Sequence, residues 1–315
     1  MEEKKSQRLV KISLIQHGPH SEMIGKDSKE AATEWLLKKV DEIAAKERPD
    51  FMMPTELATI PYCCGIRDVK YFDWAEPIPG PTTELFAEKA KKYEMVFLLP
   101  IYEKAKVEGV RYNSVVVLGP DGKIIEGILP DGSRVHRYAK MHIPSVVMPN
   151  GQHIDERFYF DGGPGFPIFH TPKGKIAVYI CYDRHFPEGW RAFALQGAEV
   201  IFNPACAMLL TPERGAASEA MYTSELQTMA MQNIVWICAT NRVGVEEVGG
   251  GKLYFYGKSA IYHPTGAIVA QASSKEADVI NQVIDLEETA RMRGFWSFYR
   301  YRRPELYGLV TKSMV

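Results

Sequence analysis

Residues 175–190 read KIAVYICYDRHFPEGW. An apolar strand-like run, Lys175–Cys181, ends on a thiol. A polar turn follows, and Pro187 then suits the first turn of a helix, where its missing N–H is no loss. A strand–turn–helix junction projects one side chain into open space and leaves backbone N–H groups near it. Such a site can aim a thiol at a carbonyl, which a mid-strand position cannot. Cys181 therefore stands apart from Cys63, Cys64, Cys206 and Cys238. Those four read as reduced, buried, small hydrophobes. The odd count and the lack of a Cys-x-x-Cys pair argue against a disulfide framework or a zinc cluster.

Working outward, apolar β-rich runs alternate with helical patterns along the chain. Lys11–Gln16 reads as a strand. Ser28–Lys46 reads as an amphipathic helix, with Trp35, Leu36, Val40 and Ile43 on one face. Asp50–Met53 is a short buried strand that delivers Pro54-Thr55-Glu56. A helix over Thr82–Lys92 and a strand over Met95–Ile101 follow. Beyond Cys181, Glu188–Gln196 and Ala216–Gln232 read as helices, and Ala198–Asn203 and Ile234–Thr240 as buried strands. Three segments, Val116–Ile125, Phe169–Val178 and Ile261–Val269, share an x-Pro-x-Gly turn between apolar runs. Pro presets φ and Gly supplies φ > 0, which is hairpin chemistry. The pattern predicts mixed sheets covered by helices in a layered α/β architecture. The stretch Arg291–Tyr307, rich in Arg and aromatics, reads as an irregular tail suited to a surface or a partner subunit.

Of the 315 residues, 46% are apolar and 24% charged, with a formal net charge of −1. That balance holds nothing to attract nucleic acid or an anionic membrane. The N-terminal MEEKKSQRLV lacks the apolar core of a signal peptide. Apolar runs such as Val96–Pro100 and Ile234–Ala239 are too short to span a bilayer. A cytoplasmic protein is the expectation.

A nucleophilic thiol needs a base. His185 is near in sequence. Glu56 and Lys140 stand at other strand ends. A carboxylate could take the thiol proton, and an ammonium could stabilise the developing oxyanion. No His pair has metal-ligand spacing.

Three stretches together carry a resemblance: Pro54-Thr55-Glu56, Tyr138–Pro144 (YAKMHIP) and Ile180–Glu188 (ICYDRHFPE). In this order the chain, from about Lys11 to the C-terminus, resembles the nitrilase, or carbon–nitrogen hydrolase, superfamily. The resemblance implies a single domain folded as a four-layer αββα sandwich of mixed β-sheets. It implies a Glu56–Lys140–Cys181 triad and no metal or organic cofactor. It also implies a homo-oligomer, with about 286–315 as an extension at a subunit interface. The segment Asp155–Phe160 matches a stretch that often carries a second glutamate, here Glu156, which would orient Lys140 and relay a proton. His185 then becomes a substrate contact rather than the base, and His142 a structural loop histidine.

The residues after the nucleophile bear on substrate. Cys-Tyr-x-Arg-His looks like the branch that acts on N-carbamoyl amino acids. A guanidinium at Arg184 can clamp a carboxylate bidentately. Tyr182 would give its backbone N–H to the oxyanion, and Asn203 a substrate contact. N-carbamoyl-β-alanine is the favoured substrate, with simple amides or N-carbamoylputrescine as alternatives. Two departures are Ala139, where a basic residue is common, and Ala205-Cys206-Ala207-Met208, which predicts a more apolar pocket wall.

Overall fold

Side chains of a strand alternate between two faces, and in the first sheet both faces are apolar. The computed structural model describes residues 7–19, 28–148, 151–209, 215–248 and 251–313. Its strands in chain order are β1 (Leu9–Gln16), β2 (Phe51–Met53), β3 (Val96–Lys104), β4 (Arg111–Leu118), β5 (Gly127–Ile128), β6 (Arg134–Val135), β7 (Tyr138–Ala139), β8 (Ser145–Val147), β9 (His153–Asp155), β10 (Ile168–Thr171), β11 (Gly174–Val178), β12 (Val200–Ala205), β13 (Trp236–Asn241), β14 (Val243–Val248), β15 (Gly251–Tyr256), β16 (Ala260–Tyr262), β17 (Ile268–Gln271) and β18 (Asp278–Asp285). The helices are α1 (Lys29–Glu47), α2 (Pro81–Lys92), α3 (Pro187–Leu195), α4 (Gly215–Asn233) and α5 (Glu287–Trp296).

One sheet has the order β18-β1-β2-β3-β4-β7, and the other β17-β16-β13-β12-β11-β10-β5-β6. Both are mixed. In the first, β1, β2 and β3 run parallel and the other pairs antiparallel. In the second, the parallel strands are β11, β12 and β13. Ile12, Leu14, Met53, Leu98 and Val117 of the first sheet share a core with Phe169, Val178 and Phe202 of the second. The rings of Phe51 and Phe202 meet across the sheets at 5.7 Å. The alternate residues Ile15, Met52, Phe97, Leu99 and Val116 pack instead on Leu36 and Val40 of α1 and Phe86 and Ala90 of α2. Trp190 and Phe193 of α3 and Tyr222 and Leu226 of α4 pack on the second sheet. The result is the helix–sheet–sheet–helix sandwich.

Local chemistry explains the boundaries. Ser28 caps α1 by accepting from the Ala31 N–H at 3.1 Å, which satisfies an otherwise orphaned donor. The three turns differ from one another. Gly122 and Gly266 take positive φ as expected, and the last hairpin carries a bulge at Ile261/Tyr262. After Gly122 the returning strand shrinks to a single bridge, Leu118 to Ile124. Gly174 is not left-handed; Thr171 pairs with it directly. A Cβ there would come within 2.8 Å of Leu286 Cδ1 and 2.9 Å of Glu199 Oε2, so those side-chain ends would have to shift. The C-terminal stretch is less irregular than expected. Its first part lies in α5, where Arg291 bridges Asp285 and Glu288 at 2.5 and 2.8 Å; short 3₁₀ turns follow. Among the described residues, no helix is long and apolar enough to cross a membrane.

The strand that opened the sequence reading ends at Val178, and Tyr179 N–H extends its ladder to Phe202 O at 2.9 Å. Helix α3 returns so closely that a Cβ on Gly189 would lie 2.3 Å from Tyr179 Cζ. Gly189→Ala is expected to destabilise the fold by about 1–3 kcal/mol through overpacking. A lower Tm in calorimetry is the expected reading, and an unchanged one would contradict this packing.

Candidate active site

Cys181 opens a 3₁₀ turn, Cys181–His185, with φ at +46°. A left-handed conformation costs a non-glycine residue roughly 1–2 kcal/mol, so the surroundings must hold it. Asp183 does much of this. Its Oδ2 accepts from Tyr138 Oη at 2.6 Å and from Ile180 N–H at 3.2 Å. Its Oδ1 accepts from the backbone N–H of His142 at 2.9 Å and meets His142 Nδ1 at 2.7 Å. His142 stacks on Phe186 at 3.7 Å. One buried carboxylate thus ties the thiol's turn to the loop that carries Lys140. The structural part expected of His142 is visible in these contacts.

Three charged groups converge beside the thiol. Glu56 follows β2, Lys140 follows β7, and Glu156 follows β9; all are buried. Lys140 Nζ donates to Glu56 Oε1 at 2.9 Å and to Glu156 Oε2 at 2.6 Å. Glu56 Oε1 also accepts from Asn113 Nδ2 at 2.7 Å, and its Oε2 from the Cys206 N–H at 2.7 Å. Glu156 Oε1 accepts from Tyr62 Oη at 2.9 Å. Buried charges are tolerated only when paired and hydrogen-bonded in this way.

The environment sets the protons. Burial pushes the Glu56 carboxyl up, but the Lys140 ammonium and hydrogen bonds from Lys140, Cys181 and Asn113 outweigh it, leaving it below its ordinary value. Burial raises the Glu156 carboxyl, Lys140 opposes and the Glu56 charge reinforces, and the balance stands at about 7. Burial would lower the Lys140 ammonium, but Glu156, Glu56 and Cys181 hold it well above the usual lysine value. Burial and the Glu56 carboxylate raise the Cys181 thiol. At rest the set is a carboxylate, an ammonium and a neutral thiol.

Cys181 is 7% exposed and forms part of a cleft of about 140 Å³. Glu156, Tyr182, Arg184 and His185 also line it. So do Cys206, Ala207 and Met208, where an apolar wall was expected, together with Val146, Met148, Ile154 and Met221. Asn203 is placed differently. It is fully buried in β12, its amide donates to the Tyr179 carbonyl, and it is not among the cleft residues. That bond braces Tyr179, two residues before Cys181, and the substrate contact expected of Asn203 has no counterpart among the cleft residues. Among the described residues, no group of three or more His, Cys, Asp or Glu side chains could hold a metal ion. All five cysteines are free thiols.

Sequence reasoning missed a second layer. Arg242 is fully buried, with Nη1 on Glu246 Oε2 at 2.7 Å. Its Nη2 donates to the carbonyls of Glu56, Leu57 and Ile60 at 3.2–3.3 Å. Glu246 Oε1 also accepts from the Tyr62 N–H at 3.0 Å. Nothing in the sequence pairs residue 242 with residues 56–60; only the sandwich brings them together.

The fold and site together are those of an enzyme, and relatives agree on its kind. The carbon-nitrogen hydrolase family profile matches residues 11–294, and the chain belongs to that family. Such enzymes hydrolyse carbon–nitrogen bonds of amides and carbamoyl groups. An N-carbamoylputrescine amidase of Solanum lycopersicum is 36% identical over 78% of each chain. A beta-ureidopropionase of Arabidopsis thaliana is 30% identical, covering 97% of this chain and 74% of that protein. A citrullinase of Francisella tularensis is 31% identical over 86% of this chain and 89% of that one. The crystal structure of a carbon-nitrogen hydrolase from Helicobacter pylori G27 superposes with a TM-score of 0.83 at 28% identity, covering 97% of this chain and 99% of that one.

Removing one partner of a buried ion pair typically costs about 3–5 kcal/mol. Glu246→Ala is therefore expected to lower the unfolding free energy, measured by urea denaturation, by that order, because Arg242 would keep its charge. A loss under about 1 kcal/mol would contradict the bracing role.

Proposed function

We propose that this enzyme hydrolyses the carbamoyl C–N bond of N-carbamoyl amino acids, most favourably N-carbamoyl-β-alanine, with Cys181 as nucleophile. The observation that carries this is the meeting of Glu56, Lys140 and Cys181 in one buried cluster that reaches the cleft. Glu56 accepts the thiol proton as sulfur attacks the carbamoyl carbon. The lowered carboxyl and raised thiol make that transfer uphill at rest, so it proceeds in step with attack. Lys140 and the Tyr182 N–H hold the oxyanion. Ammonia leaves, taking its proton from Glu156 or Glu56. Water attacks the thioester-like intermediate, the carbamate departs, and it loses carbon dioxide to give the amino acid. The Arg184–His185 edge of the cleft receives the remainder of the substrate. Exposed Phe295, Tyr301 and Leu309 support a homo-oligomer with the 286–315 segment at a subunit contact.

A second substrate reading has its own support. Arg184 is already paired with Glu225 at 3.1 Å, which offsets its charge. The cleft wall of Met148, Met208 and Met221 suits an uncharged or longer arm. These favour a simple amide or N-carbamoylputrescine. Assaying N-carbamoyl-β-alanine, N-carbamoyl α-amino acids, N-carbamoylputrescine and aliphatic amides side by side separates the readings. The expected order places a ureido acid first in kcat/KM; a simple amide first would overturn it. Cys181→Ala should abolish ammonia release on every substrate, and retained activity would sink the mechanism.

The Glu156 carboxyl near 7 has a further consequence. Below about 7 it is protonated and can donate; as pH rises through 7 it becomes an anion and cannot. The kcat/KM profile is expected to fall on the alkaline side with an apparent pKa of about 7. Glu156→Gln should lower kcat by on the order of 10²–10⁴ and remove that limb. A limb retained in the variant would assign it to another group.

A further inference from the structure

Helix α4 turns one stripe toward the nucleophile's turn. Ser218, Met221, Tyr222 and Glu225 recur at the three-, four- and seven-residue spacing of a single helical face. Ser218 and Met221 line the cleft. The Tyr222 ring lies against the Arg184 guanidinium, 5.2 Å from ring centre to Cζ. Glu225, one turn further, divides its carboxylate between two neighbours. Oε2 accepts from Arg184 Nε at 3.1 Å, and Oε1 meets His185 Nδ1 at 2.6 Å. Arg184 Nη1 donates in turn to the Cys181 carbonyl at 3.1 Å. The helix, the two cleft residues and the nucleophile's own backbone form one chain of hydrogen bonds.

The chemistry of that chain is directional. An ionised carboxylate only accepts, so the proton between Glu225 and His185 sits on Nδ1. In a neutral imidazole the other nitrogen, Nε2, is then an acceptor. Arg184 lines the same cleft, and a guanidinium can only donate. The pair therefore offers one acceptor and one donor, with the cation's charge largely cancelled by Glu225. A ureido group has the complementary set, N–H donors on either side of a carbonyl. An ester or an N,N-disubstituted amide lacks the donor.

We propose that Glu225 is a positioning residue for substrate recognition. It fixes the His185 tautomer and the Arg184 orientation so that Nε2 accepts an N–H from the substrate beside the attacked carbonyl. This rests on the carbamoyl-hydrolase reading and names the feature of the substrate that the cleft selects.

The test uses the full-length enzyme and whichever carbamoyl or amide substrate the wild type turns over best. Glu225→Gln keeps the shape but lets the side chain donate as well as accept. It should raise KM by about tenfold while kcat changes by less than about threefold. Glu225→Asp should recover part of the loss. Long-range ¹H–¹⁵N correlation spectra of histidine-labelled enzyme, assigned by His185→Gln, should show the Nδ1–H form in the wild type and a tautomer mixture in Glu225→Gln. An unchanged tautomer, or a fall in kcat with KM unaltered, would overturn the proposal. So would His185→Gln with wild-type KM, which decides the matter even if the Glu225 variants fail to fold. Inactivity of the wild type on every carbamoyl substrate would count instead against the function itself.

Discussion

A single ammonium, sealed from water, governs this architecture. Lys140 is fully buried, and its charge is tolerable only while Glu56 and Glu156 stand within hydrogen-bonding distance. Each carboxylate then has remaining lone pairs to satisfy, and Asn113, Tyr62 and the Cys206 N–H meet that need. These donors come from β4, from the loop after β2 and from the end of β12, so both sheets must converge on one edge of the sandwich. The loop that carries Glu56 cannot drift, since Arg242 grips three of its carbonyls from the second sheet. Bringing one cation into the dry interior therefore obliges most of the neighbouring polar groups to take fixed positions.

The same cluster explains why a raised thiol is compatible with nucleophilic chemistry. Burial and the Glu56 carboxylate both disfavour a thiolate, and the Cys181 proton stays in place at rest. In the proposed mechanism the Lys140 cation stands ready for charge that does not yet exist, the negative oxygen of a tetrahedral intermediate. Preorganised donors of this kind act without reorganising during the reaction. The surplus proton of the cluster resides on Glu156 because burial and the Glu56 charge outweigh the help of Lys140 there.

Most of the sandwich was legible in the chain. The strands around Lys11–Gln16 and Ala198–Asn203, the capped helix after Ser28 and the mixed character of the sheets followed from periodicity and turn chemistry. What escaped was set by distance along the chain. Gly174 looked like a positive-φ turn residue because its neighbours matched that pattern, whereas it is not left-handed and sits close against the side chain of Leu286. Asn203 is a candidate substrate contact through the family resemblance alone, whereas its amide donates to the Tyr179 carbonyl. Glu56, Lys140 and Cys181 could be named as candidates from strand ends, but only the family resemblance brought them together as a set. Glu225 and Arg242 carried no local signal, since helix α4 and the junction after β13 approach their partners only after the sheets assemble.

The cleft's two sides have different construction. The floor is pinned by buried charges and backbone carbonyls from both sheets. The walls are light: the facing pair Val146 and Ile154 on the β8–β9 hairpin, and the α4 stripe with its methionine. The apolar wall side chains make no hydrogen bond to the Lys140 cluster, whereas the floor groups share several partners. Under natural selection such a molecule would keep its chemistry fixed and drift readily in diet, with related enzymes diverging over what they consume and agreeing on how they cut it.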